Sequence, residues 1–305
     1  MGYFQLTSLN KMADYSVMFE KAIVAYIDIL GYKELVEMAI VEPVLVKRLE
    51  DLFYGASVEA VKKLSEIDLE EVANEHDKEI QDYFKRVVET VRVRCIADSF
   101  IFTLSLSDVN FKCKLYDEKT TVGNCIETYL STMTMFSVLF TCKMGHFLRG
   151  GMSIGKHYES ERTNQFFIFS EAHNKAVTME SKIAQNPRII IDESLKLYLN
   201  EISQHYIPKF FYKDDDGFYC LDIYSALHYF DRKEGILLDI KQGILLNMQK
   251  NFDNKKEFGK LLYFAKYHNG RVNRATQNFS SLAIDLDKYE ERYRFLKKLK
   301  KPKRR

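Results

Sequence analysis

A single carboxylate inside an otherwise apolar run constrains this chain more than any other feature. Residues 22–36 read AIVAYIDILGYKELV: β-branched and aromatic residues lead to Asp28, Gly31 follows, and a helical pattern then begins. Such a run reads as a buried strand turning into a helix. An Asp near the C-terminal end of a buried strand is costly unless something pairs it, and a divalent cation is a fitting partner. A second oxygen ligand should then exist elsewhere. Residues 91–106, VRVRCIADSFIFTLSL, supply it: two β-type runs flank Ala97-Asp98-Ser99, which reads as a hairpin with a carboxylate at its turn. Taken singly, Asp28 reads as a helix cap and Asp98 as an Asx turn. Their joint occurrence with these flanks favours a pair converging on one or two Mg²⁺ or Mn²⁺ ions. Such ions take oxygen ligands and share their shell with water and phosphate.

Composition bounds the rest. With 305 residues, 46% of them hydrophobic, and 4 Pro, the chain reads as a packed globular protein with little linker. A net charge of +2 gives no sign of a nucleic-acid coat or an acidic partner. The positive charge is concentrated in the closing KKLKKPKRR, read as a soluble tail. No apolar run is long enough for a bilayer, and the first residues lack a secretory pattern. Met-Gly with Thr7 beyond is a loose match to a myristoylation signal. The five cysteines form no CxxC pair, which fits a reducing, cytoplasmic setting. The seven histidines show no metal-ligand spacing.

In chain order, residues 1–19 read as a lead-in, 20–229 as the catalytic-type domain and 230–305 as a helical extension with a basic tail. Strands are expected at 22–29, 91–106 (two), 147–158, 165–169 and 188–191, with a hairpin over 210–223 turning at Asp214–Gly217. Helices are expected from 32 to about 38, and at 44–65, 67–91, 120–142, 171–183 and 193–199, the last capped by Asp192. The Met133, Met135, Phe136, Leu139 and Phe140 stripe reads as core. Arg149 opens the strand FLRGGMSIGKHY, whose paired glycines mark a close approach by another backbone or a ligand. After Phe230, apolar and charged residues alternate at helical spacing.

Four stretches together resemble the class III nucleotidyl cyclases: AYIDILGY, RVRCIADSFIF, RGGMSIG and IFSEAHNKAVTMESKI, in the family's order and spanning roughly residues 20–192. The resemblance implies a ferredoxin-like α/β cyclase domain. Asp28 and Asp98 would bind two metal ions, with the Ile29 carbonyl a further ligand. Arg149 would hold the triphosphate and Asn174 would orient the ribose or the transition state. The site would form between two domains, so a homodimer is implied. In the reaction a ribose 3′-hydroxyl attacks the α-phosphorus and pyrophosphate leaves.

Three positions depart from the purine cyclases. Arg94 stands where they place a base-reading Lys or Glu, Phe167 where they place an Asp or Cys, and Thr178 where they place a charge-stabilising Arg. No match is evident for the late Lys that holds the terminal phosphates. A cyclase domain with a helical extension and these substitutions resembles the bacterial pyrimidine cyclases of Pycsar antiphage defence. That resemblance implies conversion of UTP or CTP to cUMP or cCMP, read by a separate cyclic-nucleotide-sensing effector, with no direct nucleic-acid partner and no membrane. Arg94 as a donor suits uracil O4 and so UTP. The rival readings are a catalytically silent nucleotide- or partner-binding domain, for which Thr178 is the best support, and a purine cyclase. A dinucleotide synthase of the GGDEF type is disfavoured because its signature is missing.

Overall fold

The computed structural model describes residues 19–52, 75–109, 111, 116–162, 165–275 and 277–298. β1 (Glu20–Leu30) lies between β3 (Ser99–Ser105) and β4 (Phe147–Arg162), antiparallel to both. β2 (Val91–Ile96) flanks β3. Beyond β4 come β6 (Ile189–Ile191), parallel to it, then β8 (Tyr219–Leu221) and β7 (Phe211–Lys213). β5 (Gln165–Ser170) pairs with the outer half of β4, so the two form an arm. The order β2-β3-β1-β4, with helices between β1 and β2 and between β3 and β4, is the ferredoxin-like arrangement.

Side chains of β1 sort by the strand's period of two. Ile23, Ala25, Ile27 and Ile29 enter the main core. Ala22, Val24 and Tyr26 pack on the other face with Ile101, Ile168 and Ala172, and alternation carries Asp28 to that face. The main core is built around α4 (Glu118–Met144), where the anticipated Met and Phe stripe is buried. Thr128, Ser131, Thr132, Thr134, Ser137 and Thr141 are buried as well, so this helix is covered all round. The sheet packs against it, and so do the 3₁₀ turn Ile223–Tyr229 and α8 (Lys233–Lys250). Asp117 caps its start, accepting the Thr120 N–H at 2.7 Å.

The other helices are α1 (Tyr32–Val41), α2 (residues 44–52), α3 (Glu75–Glu89), α5 (Glu171–Lys182), α6 (Glu193–Ile202), α7 (Tyr206–Phe210), α9 (Lys255–Ala275) and α10 (Asp287–Lys298). Asp192 caps α6 as expected, accepting the Leu195 N–H at 2.8 Å. The five-residue α7 was not anticipated, because so short a helix shows no period. Past β8 the described residues contain helices and no strand, as the alternation after Phe230 implied. Residues 53–74, on which parts of two expected helices fall, lie outside the described residues, as do 1–18 and the tail from 299. No described helix is long and apolar enough to cross a membrane.

A buried histidine fastens the extension. His268 on α9 accepts the Tyr224 hydroxyl at Nδ1 (2.7 Å) and donates from Nε2 to the Leu282 carbonyl (3.1 Å). Only the neutral ring can do both. Burial pushes its pKa from 6.5 down to about 4. The unfolded chain takes up this proton at the ordinary value, so the stability contributed by neutral His268 is full above pH 6.5 and is lost progressively toward pH 4. Urea unfolding should therefore shift to lower midpoints on acidification through this window. In His268→Leu that part of the pH dependence should vanish. The variant should also be less stable at pH 7 by about 1–3 kcal/mol, because two buried groups lose their partners.

Candidate active site

The register sets Asp28 opposite Ser99 on β3 and opposite Arg149 on β4. The Ile29 N–H donates to the Asp98 carbonyl at 2.9 Å, which locks the hairpin turn to the end of β1. Within that turn Ala97 sits at φ 54°, a left-handed conformation costing a side-chain-bearing residue about 1–2 kcal/mol. The Ser99 hydroxyl donates to Asp98 Oδ1 at 3.1 Å and shares a 2.6 Å hydrogen bond with the Tyr26 hydroxyl. Tyr26 and Ser99 thus position the second carboxylate. Asp28 does not cap α1: the N-cap is Gly31, at φ 80°, with no side-chain bond. Glycine enters that region freely, and a Cβ there would lie 3.2 Å from the His146 ring.

Arg149 donates to Asp28 Oδ2 at 3.0 Å and also forms an ion pair with Glu180 on α5. Its two glycines explain how. A Cβ on Gly150 would lie 2.5 Å from the Tyr26 carbonyl, and one on Gly151 would collide with the Ala176 carbonyl. The close approach inferred from sequence is by backbone on both sides: β1 and α5 close onto β4, and their side chains meet at Arg149. Glu180 was missed. A signal was present, since Ala172, Ala176 and Glu180 fall at i, i+4 and i+8, on one face of a helix whose alanines are buried.

Two carboxylates, Asp28 and Glu180, therefore share one guanidinium, and Asp98 stands close enough to repel both. Burial pushes Asp28 above the usual carboxylate range; Arg149 pulls against it, and Asp98 pushes it up again. Glu180 is raised in the same way, by burial first, with Arg149 opposing and Asp28 adding. The Arg149 Nε–H is buried and has no partner among the described residues. The centre thus has an excess of negative charge that a cation would relieve and a buried donor that an anion would fill. The donor set fits Mg²⁺ or Mn²⁺: Asp28, Asp98 and the Ile29 carbonyl offer oxygen alone. No cluster of three or more His, Cys, Asp or Glu side chains in metal-holding geometry occurs among the described residues.

The remaining expected residues lie elsewhere. Arg94 on β2 pairs with Glu161 Oε2 at 2.8 Å and lies 5.0 Å from the Phe166 ring centroid, with its Nε–H buried and unpartnered among the described residues. Phe167, on the opposite face of β5 from Phe166, is 55% exposed and meets Tyr158 edge-on. Asn174 and Thr178 are one turn apart on α5, and the Thr178 hydroxyl donates to the Asn174 carbonyl at 2.8 Å. Both line a cavity of about 1090 Å³ between α5, α6 and the β7–β8 hairpin. Lys156, Lys175, Lys196 and Lys213 line it too, whereas Asp28, Asp98, Arg149, Arg94 and Phe167 do not. One chain thus presents two separate half-sets. The lysines come from β4, α5, α6 and β7, so only the topology gathers them.

Since burial raises Asp28, its ionised form costs stability near neutral pH. Asp28→Asn should raise the Tm of metal-free protein at pH 7.5. The gain should shrink on acidification, as the wild-type carboxyl takes up its own proton. A lower Tm at pH 7.5 would mean that the Arg149 pairing outweighs burial.

No protein-family model and no curated protein sequence matches the chain. Solved structures with a related trace include the adenylyl cyclase CyaB from P. aeruginosa, at 12% identity and a TM-score of 0.34, covering 67% of this chain and 94% of that one. The non-canonical dimeric guanylyl cyclase domain of the RhoGC fusion protein from the aquatic fungus Blastocladiella emersonii is 15% identical, with a TM-score of 0.30, covering 66% of this chain and 96% of that one. A bacterial light-regulated adenylyl cyclase is 11% identical, with a TM-score of 0.33, covering 74% and 98%. At these scores the likeness is a loose one of chain trace, and the chemistry rests on the residues described above.

Proposed function

We propose that the chain is a divalent-metal-dependent nucleotidyl cyclase of the class III type, acting on a pyrimidine nucleoside triphosphate. The observation that carries this reading is the meeting of Asp28, Asp98 and Arg149 at one end of the β1–β3–β4 register, on a ferredoxin-like sheet. Its catalytic part is residues 20–229, and the reaction is intramolecular. A bond forms between the ribose 3′-oxygen and the α-phosphorus as the bond from that phosphorus to the bridging oxygen breaks. The hydroxyl proton passes to solvent water and pyrophosphate leaves.

Asp28, Asp98 and the Ile29 carbonyl would hold two Mg²⁺ or Mn²⁺ ions, which supply charge neutralisation at the triphosphate and a more acidic 3′-hydroxyl. The residues of the chain do the positioning. Arg149 keeps an unused Nε–H for a phosphate oxygen while Asp28 and Glu180 fix its fork. Asn174 orients the ribose. No guanidinium stands at Thr178; of the lysines in the same cavity, Lys175 and Lys196 are paired with Glu171 and Glu193, which leaves Lys156 and Lys213 as the candidates to supply positive charge. The two half-sets of one chain suit a homodimer in which the Asp28 set of one protomer faces the Asn174 set of its partner. Arg94 has a buried N–H to spare for a base carbonyl such as uracil O4, while Phe167 offers only an aromatic face, so UTP is favoured over CTP. The product would serve as a cytoplasmic second messenger in antiphage defence, read by a separate effector. The rival is a silent nucleotide-binding domain, favoured by one observation: the Thr178 hydroxyl is spent on its own helix.

The test is incubation of the purified protein with ATP, GTP, CTP and UTP plus Mn²⁺, with products resolved by mass spectrometry. Cyclic UMP is the expected product, absent with a folded Asp98→Ala variant. A purine product would overturn the roles given to Arg94 and Phe167, and no product from any nucleotide would favour the silent domain.

A further inference from the structure

A second cavity, of about 330 Å³, lies at the seam between the sheet domain and the helical extension. It is at the small end of the range for ligand pockets, about 300–1,000 Å³. Lys209 on α7, Lys233 at the start of α8, and Arg271 and Arg274 near the end of α9 line it, against the single carboxylate of Asp222. That carboxylate is already engaged: it accepts from Arg271 (3.0 Å) and the Tyr267 hydroxyl (2.7 Å) and caps the 3₁₀ turn at Tyr224. Lys209 pairs with Glu127 at 2.6 Å. Lys233 and Arg274 are exposed side chains on the cavity rim with no direct ion pair among the described residues, and Arg274 is near enough to Asp222 to draw on its charge.

Two further features point to a ligand. The Arg271 guanidinium lies over the Tyr212 and Tyr267 rings, 4.7 and 5.6 Å from their centroids, which fixes its plane in advance. The Ser225 hydroxyl oxygen on the cavity wall is buried and has no hydrogen-bond partner among the described residues. A rigid guanidinium, two unpaired cations and a free hydroxyl suit a phosphoryl group. Beside them Leu227, Leu237 and Phe279 give an apolar wall suited to a flat body.

We infer that this seam binds a small phosphorylated ligand of mononucleotide size. Its contacts would come from Ser225 on the sheet-domain side and from Lys233, Arg271 and Arg274 on the extension, so binding would tie the two together. The inference is independent of the cyclase reading, since none of these residues lines the Asn174 cavity or belongs to the Asp28 cluster.

The chain has no tryptophan, so Phe279→Trp places a unique fluorescent reporter in the cavity wall. Inorganic phosphate, uridine 5′-monophosphate and uridine would be titrated at constant ionic strength. The expected result is a saturable fluorescence change with both phosphates and none with uridine. Lys233→Ala/Arg274→Ala should weaken it at least tenfold, whereas Lys47→Ala/Arg48→Ala, an equal loss of charge on α2, should leave it unchanged. The ligand-induced rise in Tm, compared between the same two double variants without the reporter, gives the same comparison if the introduced indole disturbs packing. No saturable change with either phosphate, or equal weakening in both double variants, would overturn the inference.

Discussion

The structure turns on one half-buried carboxylate and the guanidinium that faces it. Asp28 ends an apolar strand, where an unpaired charge is costly. Arg149 answers it from the neighbouring strand, and Glu180 draws the same fork from a helix packed across both. This convergence needs three backbones closer together than side chains ordinarily allow, and Gly150 and Gly151 make the room. Burial still wins over pairing at Asp28 and Glu180, both of which are held above the usual carboxylate range. Functional sites often keep such tension, since it is what a ligand relieves.

The same register carries order outward. Asp98 reaches Asp28 only because β3 pairs with β1 in a register that ends at Ser99, with the turn held by the Ile29 N–H. The main core beneath is a helix so thoroughly covered that its threonines and serines are buried with its phenylalanines. That cover comes partly from the helical extension, which is therefore part of the packing of α4, and His268 pins it in place.

Much of this was legible in the residues alone. Hydrophobic period and turn residues located β1, the β2–β3 hairpin, α4 and the Asp192 cap, because each is a local pattern. The paired glycines announced close approach without saying to what. Long-range gatherings stayed hidden: Glu180 looked like one more charge on a helix, the four cavity lysines lie on four different elements, and His268 carried no spacing that marked it. Arg94 and Phe167 each stood at a position where the purine cyclases read the base, but nothing local said which faces they take: β-strand alternation turns Phe166 toward Arg94 and Phe167 to the other face of β5.

The account depends most directly on Asp28 and Asp98 acting together as a cation site. Electron paramagnetic resonance of Mn²⁺ titrated into nucleotide-free protein tests this without relying on turnover. The account predicts saturable, protein-bound Mn²⁺ in the wild type, its loss in Asp28→Ala and in Asp98→Ala, and its retention in Asp253→Ala, where the carboxylate is exposed at the surface. Equal Mn²⁺ binding in all four proteins, or none in the wild type, would contradict it.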